Sequence, residues 1–241
     1  MTRLEFRYHP DILIRYPSVC GGVVLAEDMH NDSTPEELQQ SFLTEQQAVL
    51  AKIGETPLSE LPSLSAWRGA FRAFGVDPTK YRSAAEALLR RLTKKGDIPI
   101  INSLVDICNL VSIRYAIPVA AFDAHAISGA VSVLFAQGKE SFTAHDSPEP
   151  EHPEAGEVIF IDEAELVVAR RWCWKQSVES TARIDTTTAI LTLESQHERG
   201  QEGIQNALND LLGLLQKYLG GSYTSGVIGL GRPSISNRVH E

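Results

Sequence analysis

Two of the three tryptophans in the 241-residue sequence, Trp172 and Trp174, lie two positions apart among three cations and an amide. If residues 169–177 (ARRWCWKQS) form a β-strand, alternation places both indole rings on one face and Arg171 and Lys175 on the other. Aromatic rings beside guanidinium groups are suited to stacking on a nucleobase or ribose and to pairing with phosphate. The alternative is a tryptophan pair that fills the edge of the core while the cations extend to water.

A second group of polar side chains lies in residues 101–110 (INSLVDICNL). Asp106 and Asn109 are three positions apart, so they share one face of a predicted helix that begins after Asn102. Polar groups at this spacing either form hydrogen bonds that help packing or line a pocket. The sequence leaves both interpretations open.

Common catalytic, phosphate-binding and metal-binding motifs are absent from the sequence. It contains no GxxxxGK[ST] loop, no GxSxG turn, no HExxH helix and no paired Cys/His ligand set. The three cysteines are far apart, which gives neither a disulfide framework nor a zinc site. We therefore expect no metal and no cofactor.

The overall composition is that of an acidic globular protein. Hydrophobic residues make up 43% and charged residues 22%, and 22 Lys and Arg against 31 Asp and Glu give a formal charge of −9. Such a charge argues against wrapping DNA or docking on an anionic membrane. Neither a signal peptide nor an apolar run of about 20 residues that could span a bilayer is present, so we expect a cytoplasmic protein.

Hydrophobic periodicity predicts helices in the first half of the chain and strands mainly in the second. The predicted helices cover roughly residues 35–53, 65–74, 84–95, 102–115 and 201–219. The predicted strands cover residues 19–26, 119–122, 130–135, 158–161, 166–169 and 189–193. This order favours an α+β fold in which mixed or antiparallel sheets are flanked by helices. We expect one domain over residues 1–220 and a loosely held tail over residues 221–241.

Helix boundaries are predicted from capping residues. Thr34 as the N-cap, with Glu37 three positions later, forms one predicted capping box, and Ser83 with Glu86 forms another. A glycine, Gly96, is the predicted stop of the helix that Ser83 begins.

Three segments in order carry a family resemblance: residues 101–109 (INSLVDICN), 118–123 (PVAAFD) and 127–129 (ISG). Together they resemble the B3/B4 tRNA-editing domain of the bacterial phenylalanyl-tRNA synthetase β subunit, in which two short motifs occur at a matching separation. The later segments GEVIFID and LTLES fit strands of that domain. The resemblance covers roughly residues 62–195, and the flanking residues look like the stand-alone proteins of the family.

The resemblance implies an α+β domain whose cleft binds the 3′ end of an aminoacyl-tRNA, where a wrong amino acid is hydrolysed from the tRNA. It implies that Asn109 is the pocket asparagine and that Cys108 replaces a threonine of the synthetases. Ala120 falls where the family has its editing histidine, and Gln176 falls about where it has its editing glutamate. The chain thus departs from the family pattern at both of these positions.

Three hypotheses follow from the resemblance. The first is a deacylase that hydrolyses mischarged aminoacyl-tRNA in trans, with Arg170 or Arg171 stabilising an oxyanion and Asn109 or Gln176 orienting water. The second is a module that binds an amino acid, RNA or an aminoacylated RNA end without cleaving it, and the third is a small-molecule enzyme on a reused scaffold. The expected substrate-binding residues are Asp106, Cys108, Ala120, Asp123, Arg171, Trp172 and Trp174.

Positive charge is concentrated in one block of the acidic chain. Residues 61–115 carry nine Lys and Arg against four Asp and Glu, and this block includes the LVDICN segment. We expect Arg68, Arg72 and Arg82 to contact RNA, since a local cationic surface can bind an RNA end on an otherwise acidic protein. The alternative is a set of solvated helix faces.

Overall fold

Two β-sheets and six α-helices make up the part of the chain that the computed structural model describes, which is residues 3–145, 147, 149–197 and 200–237. The strands are β1 (Glu5–Tyr8), β2 (Cys20–Glu27), β3 (Val119–Asp123), β4 (Ala130–Phe135), β5 (Val158–Ile161), β6 (Val167–Arg170), β7 (Lys175–Gln176), β8 (Ala189–Ser195), β9 (Ser222–Ile228) and β10 (Ser234–Ser236). The helices are α1 (Pro10–Arg15), α2 (Glu36–Ile53), α3 (Pro62–Ala73), α4 (Ala84–Lys95), α5 (Ser103–Tyr115) and α6 (Gly200–Leu219). The predicted α+β class is confirmed.

The two sheets differ in size and strand direction. The larger has the order β10-β1-β4-β5-β6-β7, and all its neighbouring strands are antiparallel except β1 and β4, which are parallel. The smaller has the order β3-β8-β2-β9 and is antiparallel throughout. Each sheet thus combines strands from both ends of the chain.

The smaller sheet is buried on both faces. Alternation along β2 points Val24 toward a core that it shares with α2, α5 and α6, whereas Val23 and Leu25 point into a second core with the larger sheet. Because both faces of β2 are buried, its sequence is nearly continuously apolar. Gly22 faces α6, where an added Cβ would lie 3.1 Å from the side chain of Ile204. The glycine permits this close approach of helix and sheet.

Most predicted helix boundaries are confirmed. The Ser83 hydroxyl accepts a hydrogen bond from the Glu86 amide at 3.3 Å, and Asn102 caps α5 by accepting from the Val105 amide at 3.0 Å. Gly96 ends α4 in the left-handed conformation at φ 83°. These caps are local devices, which is why sequence spacing alone identifies them.

The predicted cap at Thr34 is wrong. Helix α2 has Pro35 as its N-cap with no side-chain hydrogen bond. The Thr34 hydroxyl instead donates to the carboxylate of Asp106 on α5, which also accepts hydrogen bonds from the Ile101 amide at 3.1 and 3.2 Å. Burial raises the pKa of Asp106, and these hydrogen bonds oppose that rise. Asp106 therefore joins the beginnings of α2 and α5.

The expectation of a loosely held tail is also wrong for most of its length. Strand β9 pairs with β2 from Ser222 to Ile228, and β10 pairs with β1. Gly220 and Gly221 take positive φ and turn the chain from α6 into β9. Residues 238–241 lie outside the described residues.

In the described ranges, no helix has the length and apolarity needed to cross a bilayer.

Replacing Thr34 with valine should destabilise the fold by about 1–3 kcal/mol, because the buried Asp106 carboxylate loses a donor. The matched control is Thr44→Val on the exposed face of α2, where the hydroxyl donates to the Gln40 carbonyl. We expect a smaller effect at the control. Urea unfolding of both variants measures the difference, and equal losses would show that the Thr34–Asp106 contact is not a stabilising one.

Candidate functional site

A cavity of about 270 Å³ lies between α5, strands β3 and β8, and the turn that follows β6. Its walls are mostly apolar and include Ile101, Val105, Val119, Phe122, Phe160 and Trp172. The volume lies just below the range of about 300–1,000 Å³ that is typical of small-molecule sites. The cavity is thus suited to a small, largely apolar group.

Helix α5 contributes Cys108 and Asn109 to the cavity. The Asn109 side chain is half-buried, and its amide forms no hydrogen bond with any residue that the structure describes. The amide can therefore donate to and accept from a ligand. The Cys108 thiol is buried, and desolvation raises its pKa to about 12, so it is not a nucleophile at neutral pH.

Strands β3 and β7 contribute Ala120 and Gln176 to the opposite wall. The Gln176 amide nitrogen donates to the carbonyls of Ala121 at 2.9 Å and Ser180 at 2.6 Å. These two bonds fix the orientation of the amide. Its Oε1 forms no hydrogen bond within the described ranges and remains an available acceptor at the cavity.

The segment with the two tryptophans is a turn, so the predicted strand alternation is wrong. Arg171 and Trp172 adopt left-handed φ values of 45° and 62°, which are uncommon for residues other than glycine. Tertiary hydrogen bonds hold this conformation: the Arg171 amide donates to Glu157 at 2.9 Å and the Trp172 amide to the Val158 carbonyl at 2.7 Å. The turn carries Trp172 into the core and leaves Trp174 half-buried.

Glu194 on β8 is a cavity residue that the sequence analysis did not single out. Its Oε1 accepts hydrogen bonds from the Tyr8 hydroxyl at 2.6 Å and the Trp172 indole at 3.0 Å. Its Oε2 forms none with the described residues. Burial raises the pKa of Glu194 to about 7, although both hydrogen bonds act in the other direction. The sequence signals only that Glu194 is the one charged residue of an otherwise uncharged strand, and it does not reveal the two donors, which are distant in sequence.

A glycine leaves the space that Tyr8 needs to reach Glu194. An added Cβ at Gly21 would lie 2.5 Å from the Tyr8 hydroxyl. Because that clash is with the donor atom itself, a larger residue at position 21 would displace it. The geometry of the carboxylate thus depends on a strand of each sheet.

Arg170 lies away from the cavity, although it was expected to act there. Its guanidinium is buried and pairs with Glu157 through two contacts of 3.0 Å and with Glu151 at 2.7 Å. These two carboxylates offset its charge, which the sequence does not reveal because they are 13 and 19 positions earlier. Arg170 and the cavity residues are therefore not brought together.

Two expected substrate-binding carboxylates also lie outside the cavity wall. Asp106 is committed to Thr34 and the Ile101 amide. Asp123 accepts from the Thr186 hydroxyl at 2.6 Å and contacts the His125 ring at 2.9 Å. Both carboxylates connect chain segments around the site.

Arg171 lies at the edge of the site without lining the cavity. Its guanidinium carbon is 3.9 Å from the ring centre of Tyr81 and 4.4 Å from that of Trp174, which does line the cavity. Desolvation lowers the pKa of Arg171, and Glu157 opposes this change. We call the group Tyr81, Arg171 and Trp174 the rim cluster.

The three arginines expected to contact RNA lie on or near α3 and α4. Arg68 donates to Glu86 at 2.6 Å, and Arg82 lies 3.8 Å from the same carboxylate oxygen. Arg72 is exposed. None of them lines the cavity, and Arg68 and Arg82 line a separate groove instead.

The cysteines and the possible metal ligands of the described residues do not favour thiol chemistry or metal binding at the cavity. Burial raises the pKa of Cys20 to about 11 and that of Cys173 well above its ordinary value. In the described parts of the chain, no group of three or more His, Cys, Asp or Glu side chains is arranged to bind a metal ion. The polar residues that line the cavity are Asn109, Gln176, Glu194, Lys175, Thr181 and Thr192.

Comparison with known protein families identifies the family of this chain. The model of the B3/4 domain family matches residues 66–220 of the sequence. The chain belongs to the B3/4 domain family. The resemblance read from the LVDICN and PVAAFD segments is thereby confirmed.

The structure of this B3/4 protein was also compared with solved structures. It is similar to an N-terminal fragment of the phenylalanyl-tRNA synthetase β subunit from Pyrococcus horikoshii, at 9% identity and a TM-score of 0.48. The match covers 98% of this chain and 55% of that one, so the chain spans about half the length of the fragment. A comparison with curated proteins finds no match.

The pKa of Glu194 predicts how the stability of this B3/4 protein depends on pH. Because the folded-state pKa is about 7 and the ordinary value is 4.5, the folded state retains a proton that the unfolded state has lost between these values. The free energy of unfolding should therefore fall as pH rises through this range, by about 3 kcal/mol at most, and level off above it.

Glu194→Gln should lack this decline. Chemical unfolding at a series of pH values measures it, with Glu55→Gln on the exposed surface as the control. Parallel curves for wild type and Glu194→Gln would contradict the prediction.

Proposed function

We propose that this B3/4 protein binds the aminoacylated 3′ end of a tRNA and hydrolyses the ester between tRNA and a mismatched amino acid, acting in trans in the cytoplasm. Membership of the B3/4 family supports a tRNA-related function. The observation that carries the proposal is that Asn109, Gln176 and Glu194 converge on one mostly apolar cavity. The reaction needs no cofactor.

The size and lining of the cavity support an aminoacyl group as the bound part of the substrate. A volume of about 270 Å³ fits an amino-acid residue better than a whole nucleotide joined to one. The apolar walls favour the side chain of the amino acid, and the amides of Asn109 and Gln176 favour its ester and ammonium groups. The nucleotide then remains outside, at the rim cluster.

Glu194 is the proposed proton acceptor. A pKa of about 7 suits a general base at neutral pH, and the Oε2 atom has no hydrogen-bond partner among the described residues. Water attacks the ester carbonyl while its proton passes to Glu194. The carbon–oxygen bond to the ribose then breaks, and the departing ribose oxygen receives that proton.

Orientation accounts for most of the proposed rate. Gln176, whose amide is fixed by two backbone carbonyls, accepts a hydrogen bond from the attacking water, and Asn109 donates to the ester. The neighbouring ribose hydroxyl of the tRNA contributes by proximity. No thiol takes part, because burial raises the pKa of all three cysteines.

A non-catalytic module that binds RNA, an amino acid or an aminoacyl-tRNA end is the second candidate. Two observations favour it: an alanine, Ala120, stands at the cavity where the family resemblance implies a histidine, and Arg170 is neutralised by Glu157 and Glu151. Binding requires neither a base nor an oxyanion donor. The two candidate functions therefore differ in the expected effect of replacing a polar cavity residue. A deacylase should lose reaction rate, whereas a binding module should lose only affinity.

Asn109→Ala and Gln176→Ala should each slow deacylation by about 10²-fold, because each removes a group that orients the water or the ester. The assay is the release of amino acid from a panel of mischarged tRNAs. Asn209→Ala and Gln205→Ala on the exposed face of α6 are the matched controls and should leave the rate unchanged.

Wild-type protein that releases no amino acid above the buffer rate, for any aminoacyl group, would overturn the deacylase proposal. If that protein still binds tRNA, and if Asn109→Ala weakens the binding of charged tRNA alone, the binding module is the correct function.

A further inference from the structure

Helix α4 extends from the cavity along the surface of the molecule. Ala84, its first residue, lines the cavity, and the Ala84 amide donates to the Cys173 carbonyl at 2.7 Å. The helix therefore begins against the turn that carries Trp174. Its 12 residues span about 18 Å from this point.

A cationic groove of about 460 Å³ runs beside the same helix and is also lined by the segment that follows α2. Glu86, Arg90 and Lys94 lie four positions apart on α4 and form one ridge along it, and Arg82 lies just before the helix. Of the described residues that line this groove, Glu86 alone is acidic, and it is neutralised by Arg68 and Arg82. The ridge consequently has a net positive charge.

Arg90 and Lys94 are the ridge cations that remain available. Both are exposed, and the side chain of neither forms an ion pair or a hydrogen bond within the described part of the chain. Arg91 differs, because it lies 3.6 Å from the Asp97 carboxylate and also donates to the Asp97 carbonyl. Two neighbouring cations of this kind are suited to binding the phosphate groups of a polyanion.

The rim cluster connects the cavity with the groove. Thr79 and Arg82 line the groove, and Tyr81 between them packs edge-on against Trp174, with ring centres 5.0 Å apart. Lys80 adds a cation 5.1 Å from the Tyr81 ring centre. The guanidinium of Arg171 forms no hydrogen bond with the described residues, and its nearest carboxylate oxygen, on Glu157, is 3.8 Å away.

We propose that the single-stranded 3′ end of the RNA leaves the cavity across the rim cluster and continues along the ridge, where Arg90 and Lys94 contact its phosphates. This proposal rests on the proposed function, which gives the cavity an aminoacylated RNA end. Aromatic rings interleaved with cations are the features that bind single-stranded nucleic acid without reading its sequence. Both rings, those of Tyr81 and Trp174, are half-buried, and the Arg171 guanidinium lies against each of them.

The test compares the double variant Arg90→Ala/Lys94→Ala with the double variant Lys139→Ala/Lys217→Ala. The second variant also loses two positive charges, but from residues that do not line the groove. Binding of uncharged tRNA is measured at several salt concentrations. The ridge variant should bind about tenfold more weakly at low salt, and its slope of log affinity against log salt should be less steep by about 1.4, since each single-strand phosphate contact contributes about 0.7. The control variant should match the wild type.

A tRNA trimmed of its single-stranded 3′ end completes the test. Trimming should weaken binding by the wild type and should remove the difference in affinity between the wild type and the ridge variant, because the trimmed RNA no longer reaches the ridge. Equal affinity and salt slope for the ridge variant and the wild type would overturn the proposal, as would equal losses in the two double variants or the same loss on trimmed and intact tRNA. These results do not depend on deacylation, so the failure of the enzymatic proposal would be seen separately.

Discussion

The buried carboxylate of Glu194 is the constraint on which the site depends. It lies on β8 of the smaller sheet, and its two donors come from β1 of the larger sheet and from the turn after β6. A carboxyl group this deeply buried is costly unless it is hydrogen-bonded, so Tyr8 and Trp172 must both reach the same oxygen. These two hydrogen bonds join both sheets and the turn after β6 at one wall of the cavity.

The hydrogen bond from Trp172 to Glu194 also constrains the backbone and the rings around Trp172. Its position needs two consecutive left-handed residues, each of which costs on the order of 1–3 kcal/mol, and this strain is offset by backbone hydrogen bonds and by packing. The Trp172 ring packs edge-on against Trp67 of α3 at 5.4 Å and against Tyr16 at 5.0 Å between ring centres. The same turn receives the first amide of α4. One buried carboxyl group, through Trp172, thereby helps to position α3, α4 and the rim cluster.

Features set by neighbouring residues were predictable from the sequence, and features set by distant ones were not. The caps of α4 and α5 depend on residues three positions apart, and the predicted strands over residues 130–135 and 158–161 match β4 and β5. Spacing and resemblance also selected Asn109 and Gln176, which line one cavity. The turn at Arg171 and Trp172 was missed because its hydrogen bonds come from Glu157 and Val158, and Glu194 because its donors are far away in sequence.

The pairing of β1 and β2 has a consequence for the way the chain folds. Strand β1 pairs with β4 and β10, and β2 pairs with β8 and β9, so partners such as Glu5 and Ser236 come from opposite ends of the described chain. Contacts between such distant segments require the closure of long loops, which slows folding. During synthesis, β2 emerges long before either of its partners. The apolar strand β2 is therefore a segment that needs protection from aggregation until its partner strands are made.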